Sequence, residues 1–247
     1  MYRSFSPDGK WALFTSPMGN NEIALFDLTQ DDPLEHKRIY RVGNLFNKRH
    51  PLFSPDSNWL CTHDNDGPLI LDLRQNGTDD PIRLGTEYRD CVAIDSSSRF
   101  LAVTNVQYVS DRIAVANVFD LNALDPAKPI RIEAKGSGID QFLFFPDGFG
   151  FAVCCNNRIM IGRSSRKDQT MQDLEQLPGS ASVGTRMDQQ VAISNDGTWL
   201  ISFQEPNGGF FEATLWGLGF ETGDAEIVFK GAASSFAFSR SGKFVAI

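Results

Sequence analysis

Histidine and cysteine are scarce in this chain. Its 247 residues include three histidines, His36, His50 and His63, and four cysteines, Cys61, Cys91, Cys154 and Cys155. No Cys-x-x-Cys spacing occurs and two cysteines are adjacent, so neither a disulfide framework nor a zinc ribbon is implied. The cysteines read as small core hydrophobes of a reduced, cytoplasmic protein. Apolar runs reach about seven residues, far short of the roughly 20 that a membrane helix needs. Met1–Ser6 carries no apolar stretch of a secretion signal. There is no Gly-x-Ser-x-Gly, no Gly-x-x-x-x-Gly-Lys-Ser/Thr and no Gly-x-Gly-x-x-Gly. The nucleophile elbow, the P-loop and the dinucleotide fingerprint are therefore all missing. Basic charge is in deficit too: 23 Lys and Arg stand against 31 Asp and Glu, a net charge of −8. Such a surface repels nucleic acid and anionic membranes unless a local basic patch overrides it.

What the chain has in quantity is phenylalanine, 20 residues of it, and a repeated turn. Six five-residue segments begin at Phe5, Phe53, Ile94, Phe144, Ile193 and Phe238. The first reads Phe-Ser-Pro-Asp-Gly, and the others vary it. The intervals are 48, 41, 50, 49 and 45 residues, the size of a four-stranded propeller blade. Pro presets φ, Asp bonds the backbone ahead of it and Gly accepts positive φ, so each segment predicts a tight turn between two strands. An aromatic follows five of the turns at a fixed offset: Trp11, Trp59, Phe100, Trp199 and Phe244. Strand alternation puts these rings on one equivalent face, where they are expected to be buried between blades. The fourth copy, with Phe149-Gly150-Phe151, reads as out of register.

Two further landmarks recur in order. A strand ends in an aromatic or Leu followed by Asp at Phe26-Asp27, Leu71-Asp72 and Phe119-Asp120, and becomes Trp216-Gly217 in the fifth copy. A later strand ends in Gly at Gly43, Gly85, Gly136, Gly179 and Gly231. The set resembles the WD-repeat family over nearly the whole chain. The resemblance implies one domain, residues 1–247, built as an all-β propeller of four-stranded blades: five blades and half of a sixth, out of a ring of seven. Phe-Asp or Leu-Asp stands where the family has Trp-Asp, and no terminal Gly is followed by His. The family's buried Asp-His-Ser-Trp network is thus not intact, and apolar packing is expected to replace it. The first copy is also similar to the repeats of periplasmic and peptidase-associated propellers. Leu121–Ile132 resembles the WD-repeat tails of bacterial multidomain signalling proteins. The one helix expected is a short one over Arg166–Glu175.

The chemistry-bearing residues weigh mostly towards packing. Cys61 and His63 share a strand face, but no further ligands complete a metal set, so packing of Cys61 and exposure of His63 are expected. Asp64-Asn65-Asp66-Gly67 has part of a calcium loop yet lacks its later acidic ligands, and a hairpin turn needs the same residues for backbone reasons. Cys154 and Cys155 point to opposite strand faces and read as two separate packing residues. No catalytic, cofactor-binding or metal-binding residues are assigned. Binding residues concentrate on loops held by a rigid scaffold. The WD-repeat resemblance places the loops after strand two and strand four of each blade on one rim. That rim carries Lys48, Arg49, Arg89, Tyr108, Arg186 and Phe210, of residue types enriched at interface hot spots. The expected function is a non-enzymatic protein-interaction scaffold or sensor, part of a larger bacterial signalling or defence protein, with protein partners on the rim. The alternative is an accessory propeller of a hydrolase or peptidase whose catalytic domain lies elsewhere. The last repeat stops at its second strand, so the missing strands are expected from the rest of a longer polypeptide or from another chain.

Overall fold

The computed structural model describes residues 3–15, 22–41, 51–64, 66–74, 80–85, 88–105, 113–123, 128–136, 138–148, 150–155, 158–163, 174–178, 180, 190–204, 212–219, 225–233 and 235–247. They form β-sheet throughout, apart from one helical turn at Leu121–Ala123. The first sheet is β1 (Arg3–Phe5), β2 (Trp11–Thr15), β3 (Glu22–Asp27) and β4 (Arg38–Arg41). The second is β5 (Leu52–Phe53), β6 (Trp59–Asp64), β7 (Gly67–Asp72) and β8 (Ile82–Arg83). The third is β9 (Tyr88–Ile94), β10 (Phe100–Asn105), β11 (Ile113–Asp120) and β12 (Ile130–Lys135). The fourth is β13 (Ile139–Phe144), β14 (Gly150–Cys155), β15 (Arg158–Arg163) and β16 (Glu175–Gln176). The fifth is β17 (Gln190–Ile193), β18 (Trp199–Gln204), β19 (Glu212–Leu218) and β20 (Ala225–Ala232). A two-stranded sheet of β21 (Ala237–Phe238) and β22 (Val245–Ala246) follows. Each sheet is a meander in chain order, as the five-and-a-half-blade reading expects. The chain divides into two compact units, residues 1–107 with 116–131, and 108–115 with 132–247.

The repeated turn explains why each sheet starts where it does. In the first copy the Ser6 hydroxyl donates to Asp8 Oδ1 at 2.7 Å and accepts the Trp11 N–H at 3.0 Å. Asp8 Oδ1 also accepts the Lys10 N–H at 3.0 Å. The backbone closes with Gly9 N–H on Ser6 O and Ser6 N–H on Trp11 O. Ser54, Asp56 and Trp59 repeat this arrangement, as do Ser194, Asp196 and Trp199. Four backbone N–H groups at the strand entry are thus satisfied within one turn, which removes the desolvation cost of leaving them unpaired.

In the third copy the two side chains exchange places. Asp95 sits where the others have Ser, and Ser97 where they have Asp. The fully buried Asp95 carboxylate accepts the Ser97 N–H and hydroxyl, the Arg99 N–H at 2.7 Å and the Phe100 N–H at 2.6 Å. The fourth copy makes a different exchange and corrects the expected register break. Phe145 N–H bonds Gly150 O and Gly148 N–H bonds Phe145 O, the same spacing as in the first turn. Gly150 therefore occupies the ring position and Phe145 the Ser position. A Cβ on Gly150 would collide with the Phe145 ring, so the aromatic has moved from strand to turn and fills the same space.

Within the first unit, Trp11, Leu13, Ile23 and Leu25 of the first sheet pack on Leu60, Leu71 and Leu73 of the second. Trp59, Cys61, Ile70 and Leu84 of the second pack on Leu101, Val103, Phe119 and Leu121. Within the second unit, Phe145, Ala152, Cys154, Ile159 and Ile161 pack on Val191, Leu200, Trp216 and Leu218. The rings Trp11 and Trp59 are buried between sheets as expected. Phe100 and Trp199 are half-buried. Phe244 departs from the expectation at 72% exposed, because no described strand lies beside it where β3 and β7 flank Trp11 and Trp59.

Three smaller readings are settled here. β6 and β7 stay paired out to Asp64 opposite Gly67. Cys61, Cys154 and Cys155 are free and buried. Glu175 lies in β16, and residues 166–173 of the expected helix lie outside the described residues. Among the described residues no helix is long and apolar enough to cross a membrane.

Burial makes the two ends of the repeat series respond differently to truncation. Trp59→Ala should lower the unfolding free energy in urea by about 3–5 kcal/mol, the range for a fully packed aromatic. Phe244→Ala should stay within about 0.5 kcal/mol of the parent, as exposed positions do. Equal losses at the two positions would contradict the observed burial.

Candidate functional site

Of the six rim residues singled out in the sequence, Lys48, Arg49, Tyr108, Arg186 and Phe210 lie outside the described residues. Arg89 is in β9, and its backbone position is distinctive. Thr104 pairs with Asp90 and Asn105 with Tyr88, so Arg89 is the extra residue of a bulge. A bulge re-aims a strand end and stops its pairing. Arg89 thus stands at a distorted strand start, next to 86–87.

At the other end of the sheets, where the repeated turns lie, the geometry is fully visible. There the strand-ending Asp sits opposite the ring position: Asp27 pairs with Trp11, Asp72 with Trp59 and Asp120 with Phe100. An arginine lies over each ring, Arg38 on Trp11 at 4.9 Å, Arg74 on Trp59 at 4.5 Å and Arg99 on Phe100 at 4.8 Å. Asp72 holds Arg74 through Nε at 2.9 Å and Nη2 at 2.6 Å, and Asp120 holds Arg99 through Nε at 2.9 Å and Nη2 at 2.7 Å. These Asp–Arg–aromatic stacks close the turn end of the first three sheets. Arg74 follows Asp72 by two residues and Arg99 directly precedes its ring, a signal present in the sequence that the landmark pattern passed over.

A second device ties neighbouring sheets at this rim. The Ser57 hydroxyl accepts the Asp8 N–H at 3.0 Å, and the Ser98 hydroxyl accepts the Asp56 N–H at 2.9 Å. Both serines hold positive φ, 64° and 60°, where four other copies have Gly at about the same angle. Positive φ costs an ordinary residue about 1–2 kcal/mol. The bond across the seam, worth about 0.5–1.5 kcal/mol, offsets much of that. In the second unit the Asn195 side-chain amide donates to Arg240 O at 3.0 Å, the same kind of tie with other atoms.

The electrostatics follow from these bonds. The Ser6 hydroxyl, helped by the Lys10 N–H and ammonium, draws Asp8 down from 3.8 to about 2 against a smaller effect of burial. The Arg74 guanidinium holds Asp72 below the ordinary range. At Asp27, Asp56 and Asp196 burial is the largest single influence and pushes upward, but the combined hydrogen bonds outweigh it and the carboxyls sit low. Burial pushes the Cys154 thiol up to about 12 and raises Cys155, so neither is a nucleophile near neutral pH. Among the described residues no three His, Cys, Asp or Glu come together as a metal set. In the first, second and fifth turns the Ser hydroxyl gives its proton to the Asp carboxylate, and both accept backbone N–H groups. Chemically the visible rim is a framework of fixed charges.

No family model matches the chain, and no curated protein does. Solved structures do match. One is a protein from Bacteroides fragilis provisionally assigned as a 6-phosphogluconolactonase, with TM-score 0.59 at 14% identity over 99% of this chain and 75% of that one. Another is the β-propeller domain of Cps50 (Swd1) from Myceliophteria thermophila, with TM-score 0.53 at 14% identity over 92% and 70%. A TolB candidate from Agrobacterium tumefaciens gives TM-score 0.51 at 14% identity over 92% and 79%. At such identities the likeness defines the class alone, which is the β-propeller.

Two outcomes follow. Ser57→Ala keeps the strained backbone and drops the seam bond, so it should cost about 1–2 kcal/mol in urea unfolding, whereas Ser57→Gly relieves the strain and should fall near the parent. A neutral Ser57→Ala would remove the seam bond from the account. The low carboxyls also predict a direction with pH. Each contributes stability that is full above its unfolded value, near 3.9, and vanishes as pH falls through its folded value. The urea midpoint should therefore hold down to about pH 4 and drop steeply towards pH 2, with a shallower drop in Asp8→Asn. A midpoint indifferent to pH over that window would contradict the assigned bonds.

Proposed function

We propose that the chain is a WD-repeat-type propeller that works as a non-enzymatic protein-interaction scaffold or sensor, within a larger bacterial signalling or defence protein. The observation that carries this reading is the use made of reactive side chains. In the first, second and fifth copies the turn Ser and Asp are committed to each other and to the turn backbone, Asp72 and Asp120 hold Arg74 and Arg99 on their rings, and Cys61, Cys154 and Cys155 are buried. What such a framework supports is rigid display of loops. The partner-binding surface is the rim of Lys48, Arg49, Arg89, Tyr108, Arg186 and Phe210, and the bulge at Arg89 favours that end of the third sheet as part of it. The free cysteines and the acidic surface favour a cytoplasmic setting, without nucleic acid or membrane as partner.

The test is to crosslink the protein in its native host, identify the partner and measure the pair by calorimetry. Arg89→Ala with Tyr108→Ala should weaken binding by more than about 2 kcal/mol, near 30-fold, if the two are hot spots. An unchanged affinity would move the site to the turn rim. Saturable ester or peptide hydrolysis that follows the protein through purification would overturn the non-enzymatic reading.

A further inference from the structure

The turns of the first three sheets are joined in series through their backbones. Asp8 N–H donates to the Ser57 hydroxyl at 3.0 Å, and Asp56 N–H donates to the Ser98 hydroxyl at 2.9 Å. The second turn therefore takes one tie and gives another, and it does so through adjacent residues. Ser57 receives, Asp56 donates, and a single peptide unit joins them. That stretch is held on both sides. Ser57 N–H bonds Ser54 O at 2.9 Å, and Asn58 N–H bonds Asp56 Oδ1 at 3.1 Å.

The third turn anchors the series. Three consecutive N–H groups are held there by one buried residue: Ser97 on Asp95 Oδ2 at 3.1 Å, Ser98 on Asp95 O at 3.0 Å and Arg99 on Asp95 Oδ1 at 2.7 Å. The Ser98 hydroxyl is thus presented to the second turn from a fixed backbone. Ser57 and Ser98 sit at φ of 64° and 60°. A residue with a Cβ favours negative φ, so each serine has two backbone states, and its tie weighs in favour of the left-handed one. The fifth turn lacks this device. Gly197 takes φ of 75° without strain, it carries no hydroxyl, and Asn195 ties that turn to Arg240 O instead.

We propose that Ser57 is a two-state element that couples the third turn to the first. With Asp56 N–H held by Ser98, Ser57 stays at positive φ and its hydroxyl meets Asp8 N–H. When the bond to Ser98 is lost, the Asp56–Ser57 peptide turns, Ser57 relaxes to negative φ, and the bond to Asp8 goes with it. The coupling runs both ways, because both bonds bias the same equilibrium. A disturbance at the third turn is therefore felt at the first, across two seams. The device belongs to the turn rim and does not rest on the loop-rim reading.

The test is native-state amide exchange, read by NMR on the 247-residue chain. Ser98→Gly removes the hydroxyl and tolerates positive φ, so it deletes one tie without adding strain. It should speed exchange at Asp56 N–H directly, and at Asp8 N–H by about fivefold or more, although the bond removed is not Asp8's own. The φ-sensitive couplings of Ser57 should move towards those of negative φ. Ser57→Ala keeps the Cβ and drops the hydroxyl, so it should speed Asp56 N–H by a similar factor. Ser57→Gly drops both and should leave Asp56 N–H near the parent rate. Gly197 N–H, bonded to Ser194 O in the fifth turn, should keep its parent rate in all three variants. Exchange that rises only at the amide whose own bond was removed overturns the proposal. So does an equal rise at Gly197 N–H, which reports general loosening, or a Ser57→Gly variant that matches Ser57→Ala at Asp56.

Discussion

The regularity of this protein depends on how the turn holds the first N–H of the second strand, which in the first, second and fifth repeats is done by one hydroxyl that bonds in two directions. The turn Ser gives its proton to a carboxylate two residues on and takes the N–H of the strand five residues on. That fixes the distance from the turn to the first residue of the second strand, and so fixes which side chain meets the neighbouring sheet. Strand alternation carries the choice down the strand: once Trp59 faces the third sheet, Cys61 faces it too, and Leu60 faces the first. A one-residue slip would turn a buried face outward, so a short turn governs burial far from itself.

The variant copies show what the turn conserves. Asp95 and Ser97 exchange acid and hydroxyl, yet the same strand N–H is held and the carboxylate gains further donors. Phe145 and Gly150 exchange ring and small residue between turn and strand while the backbone bonds stay in place. The ring exchange does not work by halves, since a ring at both positions would collide and a small residue at both would leave a void. The invariants are the filled volume and the satisfied N–H, and the residues that supply them are free to trade places.

This also sets what was legible in the sequence. The period, the turns and the four-strand layout could be read because they rest on local residues at fixed offsets. The fourth copy read as out of register because its compensation joins two positions that a pattern search scores separately. Arg38 could not be read because only the fold brings it to Trp11, whereas Arg74 and Arg99 stand at short offsets from Asp72 and Phe100 that the landmark pattern did not include. The burial expected of Phe244 failed for a related reason. Ring position is set locally, but ring burial is set by strands of the same and the next sheet. Of the rim residues, Arg89 alone falls within the described backbone, where its bulge could not be foreseen from composition.

The two ends of the sheets therefore do different work. At the turn rim, acids, hydroxyls and arginines are tied into stacks and seam bonds, so the polar groups there serve rigidity. Each tie across a seam starts from a turn that is itself closed, as Asp8 N–H reaches Ser57 while its carboxylate stays on Ser6 and Lys10. A loop on the opposite rim is then mounted on strands whose register cannot drift. Such a scaffold tolerates large changes of loop sequence, because the determinants of packing lie elsewhere. The same separation follows from the turn itself: it ties acids, hydroxyls and arginines to the strand entries, so the register of each described strand is set at one end of its sheet.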